Sequence, residues 1–571
     1  GEYVLYGDLL SQPNVNNCTS WVMKGFDFAG IQMPPELYGN LNPYSQYLDD
    51  WVLDKFEELL GSLKNDTYRI QRYDPLALDL NGDGTVATRA DKNLAGPLFD
   101  FDADGFRTAT GWVAPEDGLL VRDLNGNGKI DSGTELFGDQ TLLRNGSTAA
   151  NGFQALADLD VNADGVVDVN DAAFASLRIW QDSNQNGIAD TGELKTLSEL
   201  GITQLSTAHS AESVNVAGGQ RTGSGSFTRT DEHGNAVSQV MQEFDFDADN
   251  IHGGYVTPIA IPEDLSDIPA IPGVGRMRSL REACALSPAL TLLVRQFMAA
   301  EDYMAQDQLM PALLHEWVKT NPGYSSHGIQ AYAGGGIEDP NSENVIWLRP
   351  GETPPVYMPV DLQAELVNEV RIAEAVLGMQ SQNTIYWAND NTNIYHQVYA
   401  SFYAEAFKQL SSQTRLKSYI DKIALTLSAQ GDFVIDLAPA IAMLEQLHAT
   451  NAGKARTELA EFLVYVKAVG LSDETSLSGV DLLRSWLSTD VVTPEQLAEI
   501  TRIGVIYQDG SANQPQSTSG NDVIIVNSAS SAGTTSNGGA GMDTLYGDAG
   551  NNNLSGGEGN DQLLGAAGDD L

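Results

Sequence analysis

Asp74-Pro-Leu-Ala-Leu-Asp79-Leu-Asn81-Gly-Asp83-Gly84 joins a chemically weak peptide bond to the start of a loop suited to a hard cation. In an Asp-Pro pair the aspartyl carboxyl can close on its own carbonyl carbon, and the tertiary prolyl amide is a comparatively good leaving group. Four residues after Pro75 the loop begins, with Asp79, Asn81 and Asp83 at alternate positions. Alternating oxygen ligands of this kind converge on calcium. Together they predict a scission that a cation switches on. The dipeptide itself is ordinary: 22 prolines lead one to expect roughly two Asp-Pro pairs, and Asp339-Pro340 is a second. Position distinguishes Asp74-Pro75. Asp339-Pro340 has no cation loop behind it and is expected to stay whole.

The loop spacing recurs downstream. Asp182-Ser-Asn184-Gln-Asn186-Gly187-Ile-Ala-Asp190-Thr-Gly-Glu193 fills a twelve-position EF-hand pattern, with Gly at six and Glu at twelve. Asp160-Val-Asn162-Ala-Asp164-Gly165-Val-Val-Asp168-Val-Asn-Asp171 does the same with the shorter carboxylate at twelve, which resembles the loop of dockerin modules. Three more starts are partial. Asp123, Asn125 and Asn127 lead to Asp131, with Glu135 one position late; Asp100, Asp102 and Asp104, like Asp79, Asn81 and Asp83, have no acid at twelve. Asx turns without a metal would account for each alone. Three such starts between residues 79 and 131 would nevertheless repel one another without a cation, so the region is expected to be loose without calcium and folded with it.

At the far end, Gly538-Gly-Ala-Gly-Met-Asp543-Thr-Leu545-Tyr sets a nine-residue register that returns at Gly547, Gly556 and Gly565. Position six holds Asp543, Asn552, Asp561 and Asp570, and position eight holds Leu545, Leu554 and Leu563. This is the signature of a calcium-binding parallel β-roll, with Asp543, Asp561 and Asp570 as ligands and the leucines turned inward.

Between these ends the chain changes character more than once. Asp, Asn and Gly dominate residues 74–260, where Ser213 to Thr230 reads as a hairpin around Gly218-Gly219. A Pro-rich connector, Val256 to Pro272, precedes a mainly helical stretch to about residue 505. Ser287-Pro288 and Thr493-Pro494 read as helix starts, and Leu309, Leu313 and Trp317 share one apolar face, as do Phe402, Ala406 and Leu410. Tyr47 to Leu63 predicts a further helix. The expected fold is a multidomain α+β chain: residues 1–73, a calcium-loop module at 74–260, a mainly α-helical middle at 261–510, and the roll from 511 to 571.

Totals narrow the function. The 571 residues carry 77 acidic against 31 basic side chains, a net charge of −46, which excludes nucleic acid as a partner. Two cysteines, Cys18 and Cys284, provide no disulfide framework. No run of eighteen apolar residues is present, so no membrane-spanning helix is expected. Starting without Met and stopping inside a repeat, the sequence reads as part of a longer protein.

The residues after Asp74, then Thr108-Ala-Thr-Gly-Trp112 through Gly118-Leu-Leu-Val-Arg-Asp-Leu-Asn-Gly-Asn-Gly128, Glu135-Leu-Phe-Gly-Asp139 and Ser176-Leu-Arg-Ile-Trp180 closely resemble the self-processing module of FrpC-like iron-regulated RTX proteins. The resemblance covers residues 74–255. It implies calcium-triggered autocatalytic cleavage of Asp74-Pro75, with Asp74 as both nucleophile and electrophile. It also implies an activated Asp74 end that water hydrolyses or a partner's lysine captures as an isopeptide. Secretion by a type I exporter, and folding in extracellular calcium, follow from the same resemblance.

Two rivals are weighed against it. Asn16-Asn-Cys18-Thr-Ser-Trp21-Val resembles permuted papain-like hydrolases, in which Cys18 would be the nucleophile, but no histidine precedes it and a buried structural cysteine is the simpler reading. The second rival is a non-catalytic, calcium-stabilised adhesion protein. A zinc protease fails because Lys319 stands where His315-Glu316 needs its second histidine, and no Gly-x-Ser-x-Gly elbow supports a lipase.

Overall fold

A computed structural model describes residues 72–571 apart from 91–96, 232, 334–358, 362–363, 380, 382–383, 388–390, 428–432, 469–476, 511–515, 519 and 528–533. Cys18, the helix expected from Tyr47 to Leu63, and Asp339-Pro340 lie outside the described residues.

The first part is an eleven-stranded antiparallel sheet. Its main strands are β1 (Arg72–Tyr73), β2 (Leu76–Leu78), β3 (Gly118–Val121), β4 (Val166–Asp168), β5 (Arg178–Trp180), β6 (Leu194–Thr196), β7 (Ile202–Val216), β8 (Gly219–Thr230) and β9 (Ala236–Tyr255). Their order is β6-β5-β3-β2-β9-β8-β7-β4, and β1 pairs with β9 in line with β2. The expected hairpin is β7–β8, in which Val216 pairs with Gly219 around Gly218 at φ +80°.

β9 organises the sheet through its alternation. Phe244 and Phe246 face Ala77, Trp112 and Trp180 on one side, whereas Met241 joins Leu76, Leu78, Phe137 and Phe153 on the other. Burying each such Phe contributes about 1.5–3 kcal/mol, enough to fix the register. That register runs unbroken across the weak bond: Arg72 pairs with Asp247, Tyr73 with Phe246, and Leu76 with Glu243. Proline cannot donate to a ladder and is normally confined to edges. Here Pro75 sits between paired strands, its carbonyl accepting the Phe244 N–H at 3.2 Å.

Two apolar cores follow. One gathers Ile251, Trp317, Phe402, Ala406 and Leu410; the other, from Leu416 onward, gathers Leu459, Leu463, Trp486 and Ile500. Helices begin where the sequence placed their caps: the Ser287 side chain accepts from Leu290 N–H, and Thr493 from Gln496 N–H. The middle region is not purely helical, since Gln330–Ala333, Pro359–Asp361 and Thr384–Trp387 form a small sheet. Among the described residues no helix is long and apolar enough to cross a membrane.

The second core extends into the C-terminal strands. β10 (Val505–Gln508), β11 (Val523–Val526), β12 (Thr544–Tyr546) and β13 (Gln562–Leu564) form a parallel ladder. Val505, Tyr507, Val523, Ile525 and Tyr546 pack on the helices, while Ile506, Ile524, Val526, Leu545 and Leu554 fill the interior of the repeats. Period-two alternation explains the division between the two faces.

Candidate functional site

Successive side chains of a strand point to opposite faces. Asp74 therefore shares the face of Leu76 and Leu78, opposite Glu243 and Asp245 of β9. A short helix, α1 (Gly152–Ala157), covers this face. It starts because the Asn151 side chain accepts from Gln154 N–H, leaving earlier amides free for other acceptors. The Gly152 N–H favours the charged forms of both Asp74 and Glu243, against the effect of burial, and Phe153 N–H donates to Glu243 Oε1 at 3.2 Å.

The Asp74 carboxyl is pushed up to about 9 by burial, then by the neighbouring charges of Glu243, Asp139 and Asp245. Burial raises Glu243 and Asp139 as well. The Oδ1 atom of Asp74 is buried and has no hydrogen-bond partner. Around it the backbone is clamped. Leu76 N–H donates to Phe137 O at 3.0 Å, and Gly138 lies so close that a Cβ there would meet the Asp74 carbonyl oxygen at 1.8 Å.

Four of the five sequence loops share one construction. The first Asp accepts from the Gly at position six: Gly84 to Asp79 at 2.8 Å, Gly128 to Asp123 at 2.8 Å, Gly165 to Asp160 at 2.9 Å and Gly187 to Asp182 at 2.9 Å. Those glycines have φ between +70° and +95°, which a side chain would resist. A second carboxylate then ties the N–H of position two to that of position nine. Glu193 takes Ser183 and Asp190 at 2.9 and 3.1 Å; Asp171 takes Val161 and Asp168 at 2.8 and 3.1 Å. Glu135, despite standing one place late, takes Leu124 and Asp131 at 2.9 and 2.7 Å.

In the loop at Asp79 the same two amides, Leu80 and Ala87, bond Asp117 at 3.0 and 2.7 Å. Asp117 is buried and raised by that burial. The fifth loop also closes on itself, Gly105 N–H donating to Asp100 at 3.0 Å. Oxygens of Asp100, Asp102 and Asp104 lie within 4.8 Å of one another, and burial pushes Asp100 up to about 6. Arg276 from the middle region reaches Asp104 at 2.5 Å. In the repeats the position-six residues form two columns: Asp543 N–H donates to Asp561 and Asn552 N–H to Asp570, both at 2.8 Å.

Two family models match the chain, the SPM domain over residues 76–243 and the four-copy RTX calcium-binding nonapeptide repeat over residues 537–571. Over 434 residues it is 36% identical to the iron-regulated protein FrpA of Neisseria meningitidis serogroup C, covering 73% of this chain and 38% of that one. The chain is an RTX protein of the FrpC-like kind. It spans well under half the length of that relative.

The repeats of this RTX protein bind calcium, and their donor atoms suit the ion. Asp543 Oδ2 and Asn552 Oδ1 are buried without hydrogen-bond partners, as expected of atoms directed at a hard cation. The loops at Asp79, Asp123, Asp160 and Asp182 carry Asp and Asn side chains whose oxygens suit the same ion, while their Asn amides bond neighbouring loop carboxylates. Sequence reading missed Asp117, which lies 37 residues from the amide it bonds and so outside any twelve-residue window. It also missed Glu243. The alternation Glu243-Phe-Asp245-Phe-Asp247 was the available sign that one strand carries an acidic face and an aromatic face.

Proposed function

We propose that this RTX protein cuts its own Asp74-Pro75 bond when its loops fill with calcium. The observation that carries this reading is the buried, unpartnered Oδ1 of Asp74, in a carboxyl that stays protonated through neutral pH, beside a backbone held on both sides.

The chemistry needs nothing beyond the residue pair. Asp74 Oδ attacks the Asp74 carbonyl carbon, the carboxyl proton passes to the Pro75 nitrogen, and the C–N bond breaks. The products are a cyclic anhydride at Asp74 and a free prolyl amine. Intramolecular attack of this kind can reach effective molarities on the order of 10⁵ M or more. Glu243, Asp139 and Asp245 keep the proton on Asp74 until it is transferred, acting through burial and like charge. Water then opens the anhydride, or a lysine amine of a partner protein attacks it to leave an Asp–Lys isopeptide.

Calcium supplies the counter-charge without which the loop carboxylates repel one another. The loop at Asp123 is the one wired to the bond. Its closing residue Glu135 is followed directly by Leu136, Phe137 and Gly138, the last two of which touch Leu76 and Asp74. Ordering Glu135 therefore orders the clamp. Asp79, Asn81, Asp83 and Asp117 would hold an ion at the other end of β2, with Asp160 to Asp171 and Asp182 to Glu193 holding two more. Export with empty loops, then folding in extracellular calcium at roughly 10⁻⁴–10⁻³ M, would place the cut outside the cell.

The test is direct. Purified chain is moved from chelator into excess calcium and resolved on a denaturing gel. A fragment whose first residue is Pro75, absent in Asp74→Asn, supports self-cleavage. An intact chain with filled loops rejects it in favour of a calcium-stabilised adhesion protein.

A further inference from the structure

The ladder of C-terminal repeats begins against a positive charge of the protein's own. Lys467 lies one residue from the end of helix α2 (Ala452–Ala468), and its Nζ donates to Asp522 O at 2.6 Å, at the turn that opens β11. That turn heads a column of aspartates. Asp522 N–H donates to Asp543 Oδ1 and Asp543 N–H to Asp561 Oδ1, both at 2.8 Å. Asp522 and Asp543 are 2% and 1% exposed, and Asp543 Oδ2 has no hydrogen-bond partner. Stacked carboxylates withdrawn from water need a cation. Burial pulls the Lys467 ammonium down to about 8, still above neutral pH, while the charges of Asp543, Asp522 and Asp561 act the other way and favour its proton.

A second contact holds the opposite ends of the same strands. Arg484, on helix α3 (Leu477–Thr489), donates through Nε to Val526 O at 3.0 Å and through Nη2 to Gly547 O at 2.8 Å. Those carbonyls end β11 and follow β12. The two helices thus hold β11 at both ends and β12 at its far end, on top of the apolar contact made by Val523, Ile525 and Tyr546.

We propose that Lys467 is a resident cation that seats the first turn of the repeat ladder, so that the helices begin the fold and calcium extends it. A first turn formed on an open chain orders its residues with no neighbouring turn to pack on, whereas each later turn gains an interface with the one before it. With Lys467 in place, Asp522 meets a fixed charge before any ion arrives. Folding then proceeds from the helical side toward Leu571.

The experiment is hydrogen exchange on the whole chain in calcium chelator, read at residues 518–527 and 541–547, with 458–466 of α2 as the folding control. The parent is expected to protect both repeat segments without calcium, while 553–571 exchanges freely. Lys467→Met should speed exchange at 518–527 by roughly tenfold or more, as loss of a hydrogen bond to a charged group implies. Lys467→Arg should keep the protection. Parent-like protection in Lys467→Met would overturn the proposal. So would free exchange at 518–527 in the parent, or loss of the α2 control in Lys467→Met, which would make the lysine a helix-packing residue.

Discussion

Gly138→Ala isolates the clamp on the scissile bond from the calcium sites. The added Cβ would lie 1.8 Å from the Asp74 carbonyl oxygen and 2.9 Å from its carbon, where ordinary contact begins at 3.4 Å. About 1.6 Å must therefore be found between two backbones. Neither yields readily, since Leu76 N–H, two residues beyond Asp74, is bonded to the carbonyl of Phe137, the residue before Gly138. Overpacking of this kind costs about 1–3 kcal/mol, which a calcium-filled module should survive. The reacting geometry should not. A misplacement of about 1 Å can cost roughly a hundredfold in rate, equivalent to about 2.7 kcal/mol of barrier. The assay follows the Pro75 fragment with time after calcium addition, while near-ultraviolet circular dichroism of the packed Trp112 and Trp180 rings reports folding. Gly254→Ala, where a Cβ meets nothing within 4 Å, is the control. Cleavage by Gly138→Ala within about twofold of the parent, with the aromatic signal intact, would refute the clamp, because the chemical step would then be indifferent to a displacement that should slow it roughly a hundredfold.

Asp117→Asn should raise the calcium concentration for half-maximal cleavage roughly tenfold, by weakening hydrogen bonds to a charged group; an unchanged titration would remove Asp117 from the loop. Asp74, pushed up to about 9 by burial and by Glu243, Asp139 and Asp245, should cleave at a steady rate through neutral pH and more slowly as pH rises past about 9. Glu243→Gln should move that fall to lower pH, and a rate that climbs through pH 9 would contradict proton delivery by Asp74. Because the folded value lies above the ordinary 3.8, the stability linked to Asp74 is complete below that value and is lost as pH rises toward 9. With calcium present, and in a Pro75→Ala background that removes the prolyl leaving group, Asp74→Asn should accordingly gain melting temperature at pH 8 relative to pH 5, and equal differences at the two pH values would contradict the raised carboxyl. Asp339-Pro340 should remain uncut in calcium, as mass spectrometry of the fragments would reveal.

What was legible in the sequence was local. The loops at Asp160 and Asp182 declare themselves within twelve residues because ligand spacing, the glycine at six and the closing acid are all contiguous. The repeats declare themselves because a nine-residue period holds one residue type at each station of the ladder. Helix starts at Ser287 and Thr493 are read from two or three residues, since a cap bonds an amide only that far away. The environment of Asp74 has no such locality. Its neighbours come from a turn at Asp139, a helix start at Gly152 and a strand at Glu243, brought together by the register of β9. The loop at Asp79 is half-legible for the same reason, its closing acid arriving from the residue before β3. A cation loop read as incomplete in sequence is therefore a request for a carboxylate from elsewhere in the fold, and the place to look is the two amides at positions two and nine. By that rule the loop at Asp100 stands apart: Arg276 pairs with its Asp104, bringing to the loop a positive charge from the protein itself, as Lys467 does for the repeats.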